Sequence, residues 1–569
     1  MNVAELSALF RNIASILEIR GENVFRIRAY EKAAESIERF PNTLETLIKE
    51  DRLSEIPGIG KDLSLKIKEF YATGKIKAYE DLKKTIPQGL LELLNIPSVG
   101  PKTAKLLFEK LKIKSLADLE KAIKQNKLTG LAGIKEKTIQ NIAKGLEILK
   151  KGRKRMTLQQ AMDLSDTFLS NMSKTPEVKD IETAGSLRRK TETVGDIDIL
   201  ITSKEPEKIM DLFVKLPDVK TVLAKGETKS SIRTKNDIQV DCRVVEQRSF
   251  GAALLYFTGS KDFNIRLRQL AIKKGLKINE YGVFRKDKFI CGRTEEEIFK
   301  TLGMSFVVPE LRENRGEIEL ALKGKLPELI GLKDIKGDLH VHSEWSDGLN
   351  SITEMAEAAK ALGYSYIAAT DHSQSLKVAG GLNVKRLLEK KKEIEKINSR
   401  LSNFRVLLGT EAEIDSDGNI DYSDKILKEI DIVVAAIHSG FKQGKDKLTK
   451  RTIKACSNKY VHIIAHPTGR LWGMRDAYEL DFKEIFKAAH DTNTALEINS
   501  YPERLDLNDN NARAAVEEKV KLAVNTDAHR IEHLKAIQFG LAVARRGWVA
   551  KDDVINTLTV DNLLKKIKK

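Results

Sequence analysis

Seven short apolar segments recur between residues 338 and 529: DLHVHS (338–343), YIAATDHS (366–373), RVLLGTEAEI (405–414), DIVVAAIHSG (431–440), VHIIAHPTG (461–469), TALEINS (494–500) and KLAVNTDAH (521–529). Most end in a polar residue, and helical stretches such as ITEMAEAAKALG (352–363) separate them. Strand–helix alternation of this kind predicts parallel strands. Polar residues at the strand C-terminal ends predict a barrel with its site on that face.

All nine histidines of the chain lie after residue 339. Imidazole is a frequent transition-metal ligand and transfers protons near neutral pH. His340 and His342 form a His-x-His pair on one strand, which puts both rings on the same side. With Asp347, His372, Glu411, His438, His466, Asp527 and His529 they make nine candidate ligands. One ion uses fewer than nine, since zinc takes four and manganese six. Two or three ions, Mn²⁺ or Zn²⁺ and bridged by Glu411, account for the set better. Such ions activate water and stabilise charge developing on phosphorus. His462, His490 and His533 read as ordinary structural or surface residues. Arg470 and Trp472, just past AHPTG, are candidates for contacting a substrate phosphate and a base.

The front of the chain differs. Residues 1–330 carry 61 Lys+Arg against 47 Asp+Glu, a net +14, which leaves +3 of the total +17 to the remainder. A basic surface favours nucleic acid through counterion release, although a lysine-rich solvated surface gives the same arithmetic. Residues 1–50 read as amphipathic helices, with Ala33, Ile37 and Phe40 at helical spacing. Two glycine-turn hairpins follow, LSEIPGIGKDLSLKIKEF (53–70) and LLNIPSVGPKTAKLLFEKL (93–111), with a weaker third copy, LTGLAGIKEKTIQNI (128–142). Gly58, Gly60 and Gly100 let a phosphate approach main-chain N–H groups at a helix start. Lys61, Lys102 and Lys105 add charge. Three copies in one basic segment point to DNA binding; the turns resemble the helix-hairpin-helix motif, which implies contact with the DNA backbone without sequence readout.

Residues 181–203, IETAGSLRRKTETVGDIDILITS, read as a strand, a polar turn and a second strand. Ile197, Ile199 and Ile201 share one face of GDIDILIT; Asp196 and Asp198 share the other. Two carboxylates about 7 Å apart on one face suit hard cations. A third strand, DIQVDCRVV, adds Asp241 among apolar neighbours, where an unpaired acid is costly. Three acids around two Mg²⁺ ions form the arrangement for in-line phosphoryl transfer. Gly185, Ser186, Arg188 and Arg189 supply a close-approach turn, a hydroxyl and guanidinium groups that fit a triphosphate.

GS followed by DxD is the nucleotidyltransferase superfamily signature, and YFTGSKDFNIRLRQLA (256–271) closely resembles the nucleotide-binding segment of family X DNA polymerases. Residues 1–316 resemble that family throughout. HxH, TDH, GxEAE, IHSG, AHP and NTDAH resemble the PHP (polymerase and histidinol phosphatase) domain over 334–569, with all nine ligand positions intact. The resemblance implies a multidomain chain: a helical lyase-like helix-hairpin-helix domain (1–85), a second helix-hairpin-helix subdomain (86–150), an α+β nucleotidyltransferase palm (151–245), a nucleotide-binding subdomain (246–316), a linker (317–333), and a distorted (β/α)7 PHP barrel (334–569). It implies that Asp196, Asp198 and Asp241 hold the two polymerase metals and that Ser186 and Arg189 contact the triphosphate. Tyr256, Phe257 and Gly259 would line the sugar pocket, Asn264 the minor-groove edge, and Arg268 the template strand. Lys66 falls where the family's Schiff-base lysine sits, with Tyr30 and Arg26 near its 5′-phosphate pocket; Asp62 occupies a position that is lysine in the family and would repel phosphate.

The expectation is therefore a gap-filling DNA polymerase of base excision repair, acting on gapped or primed DNA with deoxynucleoside triphosphates. Its barrel is expected to be a Mn²⁺-stimulated 3′→5′ exonuclease, some relatives having abasic-site endonuclease or 3′-phosphatase activity. A template-independent transferase, a small-molecule phosphoesterase and a non-catalytic DNA-end scaffold are the rivals. No apolar run reaches the ~20 residues of a membrane span, the first residues lack a signal-peptide core, and three scattered cysteines build no disulfide framework. A cytoplasmic monomer is expected.

Overall fold

The computed structural model describes residues 3–39, 47–48, 51–56, 58–87, 89–94, 96, 99–131, 134, 136–153 and 155–567. Phe40 lies outside these residues, as do Ala132, Gly133 and Lys135 of the third hairpin copy. The chain divides into two compact units, residues 1–153 with 471–476, and residues 154–470 with 477–569.

The first unit is helical. Val3–Arg20 and Val24–Arg39 bury Phe10, Ile13, Leu17, Tyr30, Ala33 and Ile37 in one apolar cluster with Leu63, Ile67 and Phe70. A second cluster gathers Leu90, Leu93, Val99, Ala104, Leu107, Leu119 and Ile142. In both full hairpin copies the second helix forms as expected, while Pro57, Asn95, Pro97 and Ser98 of their turns lie outside the described residues. Gly60 caps the helix Lys61–Thr73 and Gly100 caps Pro101–Leu111, each in extended backbone. Pro101 stands at the first helical position, where its missing N–H costs nothing.

The second unit holds two sheets that matter for chemistry. The first contains β1 (Asp180–Thr183), β2 (Asp196–Thr202), β3 (Val219–Lys225), β4 (Lys229–Thr234) and β5 (Gln239–Val245), in the order β1-β2-β5-β4-β3. β2 and β5 are parallel and the other neighbours antiparallel. Ile197, Ile199 and Ile201 are buried with Phe168, Met210 and Phe213. Leu200, on the opposite face, packs with Ala253 and Leu254. The stretch expected as a polar turn contains a one-turn helix, Gly185–Arg188. Helices Phe250–Thr258 and Lys261–Lys273 follow, then a three-stranded sheet over 277–291. The expected join begins with a helix, Glu317–Leu322, whose Ile318 and Ala321 pack with Phe263, Leu267 and Phe299. Farther along it, Ile330 N–H donates to Val549 O at 3.0 Å.

The second sheet is the barrel. Its strands are β6 (Gly337–Val341), β7 (Tyr366–Ala369), β8 (Arg405–Glu413), β9 (Ile432–Ala436), β10 (Ile463–Ile464), β11 (Ala495–Asn499) and β12 (Leu522–Asn525). They pair in sequence order, all parallel. A parallel bridge between Val341 and Ala528 links the first strand to the segment after the last, with His342 N–H donating to Ala528 O at 2.8 Å. Strands buried on both faces carry near-continuous apolar residues. Here alternate residues serve two cores. Leu339, Ala368, Leu407, Val434 and Ala523 pack with Leu563 and Ile567 of the C-terminal helix. Ile367, Val406, Val433 and Val524 pack with helix residues including Met355, Ile394, Leu448 and Ile485. The seven apolar segments are thus the seven strands of a (β/α)7 barrel.

Candidate active sites

Most strands of the barrel end where their apolar residues give way to acids and imidazoles. Glu411, on β8 and almost fully buried, lies at the centre. Its Oε2 is 2.9 Å from His372 Nδ1 and 3.5 Å from both His340 Nε2 and His342 Nε2. Its Oε1 is 3.0 Å from His466 Nε2 and 3.3 Å from His438 Nε2. Asp527 Oδ1 approaches His342 Nε2 at 3.2 Å and His340 Nε2 at 3.6 Å. Asp347, in the loop after β6, faces His372 at 3.4 Å, His529 at 3.5 Å and His342 at 3.6 Å. The structure brings all nine expected residues together.

Three overlapping groups have ligand atoms within 4.8 Å of one another: His342, Asp347, His372 and His529; His340, His342 and Asp527; and His372, Glu411 and His438. The donors fit divalent cations. His340 and His342 are fully buried, yet His340 Nε2 and both ring nitrogens of His342 have no hydrogen-bond partner. Orphaned buried polar atoms of this kind are rare unless a ligand uses them. Burial, with His529 and His372 beside it, pushes His342 down to about 4, which keeps its ring neutral and ready to donate a lone pair. At His372 and His438 burial opposes charge, but Glu411 chiefly outweighs it, pushing them up to about 10 and about 9. Asp527 and His466 hold left-handed backbone, φ 55° and 25°. Strain of this sort persists where the surroundings over-determine a site.

A further layer was not anticipated from the sequence. Glu497 Oε1 contacts His340 Nδ1 at 2.8 Å, and its Oε2 accepts the His466 N–H at 2.8 Å. Glu413 Oε2 contacts His438 Nδ1 at 2.8 Å. Asp371, buried, accepts from Ser343 N–H at 2.8 Å and pairs with buried Lys390 at 2.7 Å. Carboxylates behind ligating imidazoles fix ring orientation and raise basicity. The available signal was an acid inside each of the apolar runs TALEINS, GTEAEI and ATDHS. Arg470, a candidate for contacting a substrate phosphate, donates to Glu192 at 2.9 Å and to the carbonyls of Arg504 and Leu505.

In the first sheet, Asp198 of β2 pairs in register with Asp241 of β5, and Asp196 lies two residues before it. Burial pushes Asp198 up to about 6, with Asp196 and Asp241 adding repulsion. The trio does not close as tightly as the barrel groups: the three 4.8 Å groups found among the described residues are all in the barrel. The carboxylates repel one another at Asp198, and a divalent cation between them would relieve that repulsion. Gly185, at φ +63°, makes the close approach possible, since a Cβ there would lie 2.5 Å from Asp198 Oδ2.

Ser186 lies on the short helix beside this trio. Arg189 donates to Glu313 at 3.0 Å and to Thr258 O. Arg188 is absorbed structurally, bidentate to Glu295 at 2.9 and 2.8 Å. Tyr256 is exposed, and its ring meets Phe257 edge-on at 5.1 Å. A Cβ on Gly259 would come 3.2 Å from Arg189 Nη1. Asn264 donates to Tyr256 O at 2.7 Å, and Arg268 Nε to Asn264 O at 3.3 Å.

In the helical unit, the space where a Cβ would stand at Gly60 and Gly100 is open for 4 Å. Lys61 and Lys102 are exposed and Lys105 is half-buried. Lys66 Nζ sits 2.6 Å from Asp62 Oδ1. Tyr30 is a core residue against Phe10, and Arg26 pairs with Glu22 at 3.6 Å.

Four family descriptions match the chain: helix-hairpin-helix domain over 1–76, SAM-like helix-hairpin-helix tandem over 90–147, DNA polymerase beta thumb over 253–313, and PHP domain over 338–501. The DNA polymerase/3′-5′ exonuclease PolX of Bacillus subtilis (strain 168) is 40% identical over 567 residues, 99% of each chain. A probable phosphatase of Thermoanaerobacter sp. (strain X514) is 32% identical over 235 residues, 39% of this chain and 89% of the relative. DNA polymerase lambda of Rattus norvegicus is 26% identical over 333 residues, 53% of this chain and 54% of the relative. No helix among the described residues is long and apolar enough to cross a membrane.

Proposed function

Because the chain belongs to the family X DNA polymerases that carry a C-terminal PHP domain, we propose a division of labour between its two centres. The palm extends a primer 3′-OH across short gaps, and the barrel hydrolyses phosphodiesters as a 3′→5′ exonuclease. One observation carries this division: the acid trio and the imidazole cage lie on separate sheets and share no residue.

Asp196, Asp198 and Asp241 hold two Mg²⁺ ions, which supply charge for the attacking and leaving oxygens when bound. Ser186 and Arg189 take the triphosphate. Tyr256, Phe257 and Gly259 shape the sugar pocket, crowding out a 2′-hydroxyl, while Asn264 and Arg268 face the primer–template. In the barrel the nine residues would hold two or three Mn²⁺ or Zn²⁺ ions, which would activate water when bound. Glu497 and Glu413 orient the rings behind them. The hairpins at Gly58, Gly60 and Gly100, with Lys61, Lys102 and Lys105, grip backbone phosphates. Lys66 is the candidate lyase nucleophile and has to release Asp62 to act. The setting is base excision repair by a cytoplasmic monomer.

A gapped duplex with a labelled primer, given Mg²⁺ or Mn²⁺ with and without deoxynucleotides, tests both halves. Lengthening with nucleotides and shortening without them is expected. No lengthening in either metal ends the polymerase half, and no shortening ends the nuclease half. The likeness over 235 residues to the probable phosphatase favours a second reading, removal of a 3′-phosphate. A primer ending in 3′-phosphate separates it: loss of phosphate with no loss of nucleotides marks a phosphatase.

A further inference from the structure

We infer that Arg546, on a helix of the PHP barrel, is a positioning residue for the nucleotide-binding arginine of the polymerase, acting through Glu313. This rests on the reading that Arg189 contacts the triphosphate. Arg546 ends the helix Ile537–Arg546 and is 6% exposed. Its Nη1 donates to Glu313 Oε1 at 2.8 Å and to the main-chain oxygen of Arg189 at 2.9 Å. Its Nη2 donates to Asp509 Oδ2 at 2.9 Å. Arg189 Nε donates to the same Glu313 Oε1, at 3.0 Å. A single carboxylate oxygen is therefore shared by two guanidinium groups, one from each catalytic domain.

The sharing has a consequence for charge. Glu313 alone would neutralise Arg189 and compete with an incoming phosphate for it. With Arg546 on the same oxygen, the carboxylate's charge is divided, and Arg189 keeps more of its own for an anion. Asp509 anchors Arg546 from the barrel side and also takes Arg315 at 3.3 Å. The second contact, to the Arg189 carbonyl, holds the main chain from which the nucleotide arginine projects. Thr258 O, one residue before Gly259 of the candidate sugar pocket, receives Arg189 Nη1. The barrel helix thus bears on both the triphosphate and the sugar ends of the nucleotide site.

The test is steady-state gap filling by the full-length protein carrying Arg546→Ala, Arg546→Lys, Glu313→Gln, the double change Arg546→Ala/Glu313→Gln, and Arg189→Ala. Arg546→Ala is expected to raise the KM for deoxynucleotide by about tenfold, as for coupled charged neighbours, with a smaller change in kcat. Arg546→Lys is expected to fall between it and the parent, because a single ammonium cannot span the Glu313 and Asp509 carboxylates as the two guanidinium nitrogens do. The double change is expected to return KM close to that of Glu313→Gln. Exonuclease turnover on single-stranded DNA, read on each preparation, is expected to stay unchanged for Arg546→Ala and reports that the barrel is folded. If Arg189→Ala leaves KM unchanged, the underlying reading of Arg189 fails. If Arg189→Ala raises KM but Arg546→Ala does not, or if Glu313→Gln fails to reverse the Arg546→Ala effect, the inference is overturned. Should Arg546→Ala lose exonuclease turnover through misfolding, the Arg546→Lys series decides, and a KM equal to the parent's overturns the inference.

Discussion

His340 Nδ1 and Glu497 Oε1 lie 2.8 Å apart with both side chains fully buried. The contact leaves His340 Nε2 facing Glu411 and Asp527 with no hydrogen bond of its own. A carboxylate that fixes the ring and its tautomer makes the opposite nitrogen a better ligand. Glu497→Gln should therefore weaken divalent-cation binding in the barrel by roughly 10- to 100-fold. Titrating exonuclease turnover with Mn²⁺ should show the curve moved to higher concentration with gap filling unaltered. An unmoved curve would assign Glu497 to packing alone.

The separation of the two ligand sets predicts separable losses. Asp198→Ala should abolish nucleotide addition and spare hydrolysis, and His340→Ala should do the reverse. Both assays run on one preparation of each variant check this. Loss of both activities from either change would point to a shared site or a folding defect.

Gly185 stands at φ +63° with its missing Cβ 2.5 Å from Asp198 Oδ2. Gly185→Ala adds left-handed strain of about 1–2 kcal/mol and drives the aspartate from its place. Since 1.4 kcal/mol is a factor of ten in rate, nucleotide addition should fall by at least about tenfold while exonuclease turnover holds. Equal loss in both assays would mean the glycine serves the fold rather than the acid.

On the proposal that the hairpin glycines grip phosphate without reading bases, affinity for gapped DNA should fall steeply with salt. Each neutralised phosphate contributes about 0.9 to the slope of log K against log salt. Lys102→Ala should reduce that slope by about one and weaken all sequences alike. Fluorescence anisotropy across a salt series measures it, and a flat dependence would remove the hairpins from the DNA interface.

Occupancy of the barrel should also be visible in stability. The fully buried His342, with neither ring nitrogen hydrogen-bonded, is left uncompensated when cations are stripped. Chelation should lower the unfolding temperature, and Mn²⁺ should restore it in proportion to RT ln(1 + [L]/Kd). The same melting temperature with and without chelator would argue against a bound ion.

Much of this molecule is legible in its sequence. Seven apolar segments ending in His, Asp or Glu can alternate with helices in few ways, so the barrel and its face followed from spacing. The His-x-His and Asp-x-Asp pairs carried their own geometry, because strand side chains alternate with period two. The helix at Gly185–Arg188 was missed, since a four-residue turn of helix has no periodicity to read. Glu497, Glu413 and Asp371 were missed for a different reason. An acid in an apolar run signals a partner, but which partner depends on a strand up to 157 positions away, as for Glu497 and His340.

Local pattern therefore settled which residues could be ligands, because ligand chemistry and strand alternation are properties of neighbours in the chain. Packing alone decided what each ligand leans on, and that Arg546 of the barrel and Arg189 of the palm meet on one oxygen of Glu313. Such contacts join residues hundreds of positions apart, and no periodicity encodes a distance closed only when separate sheets fold against each other.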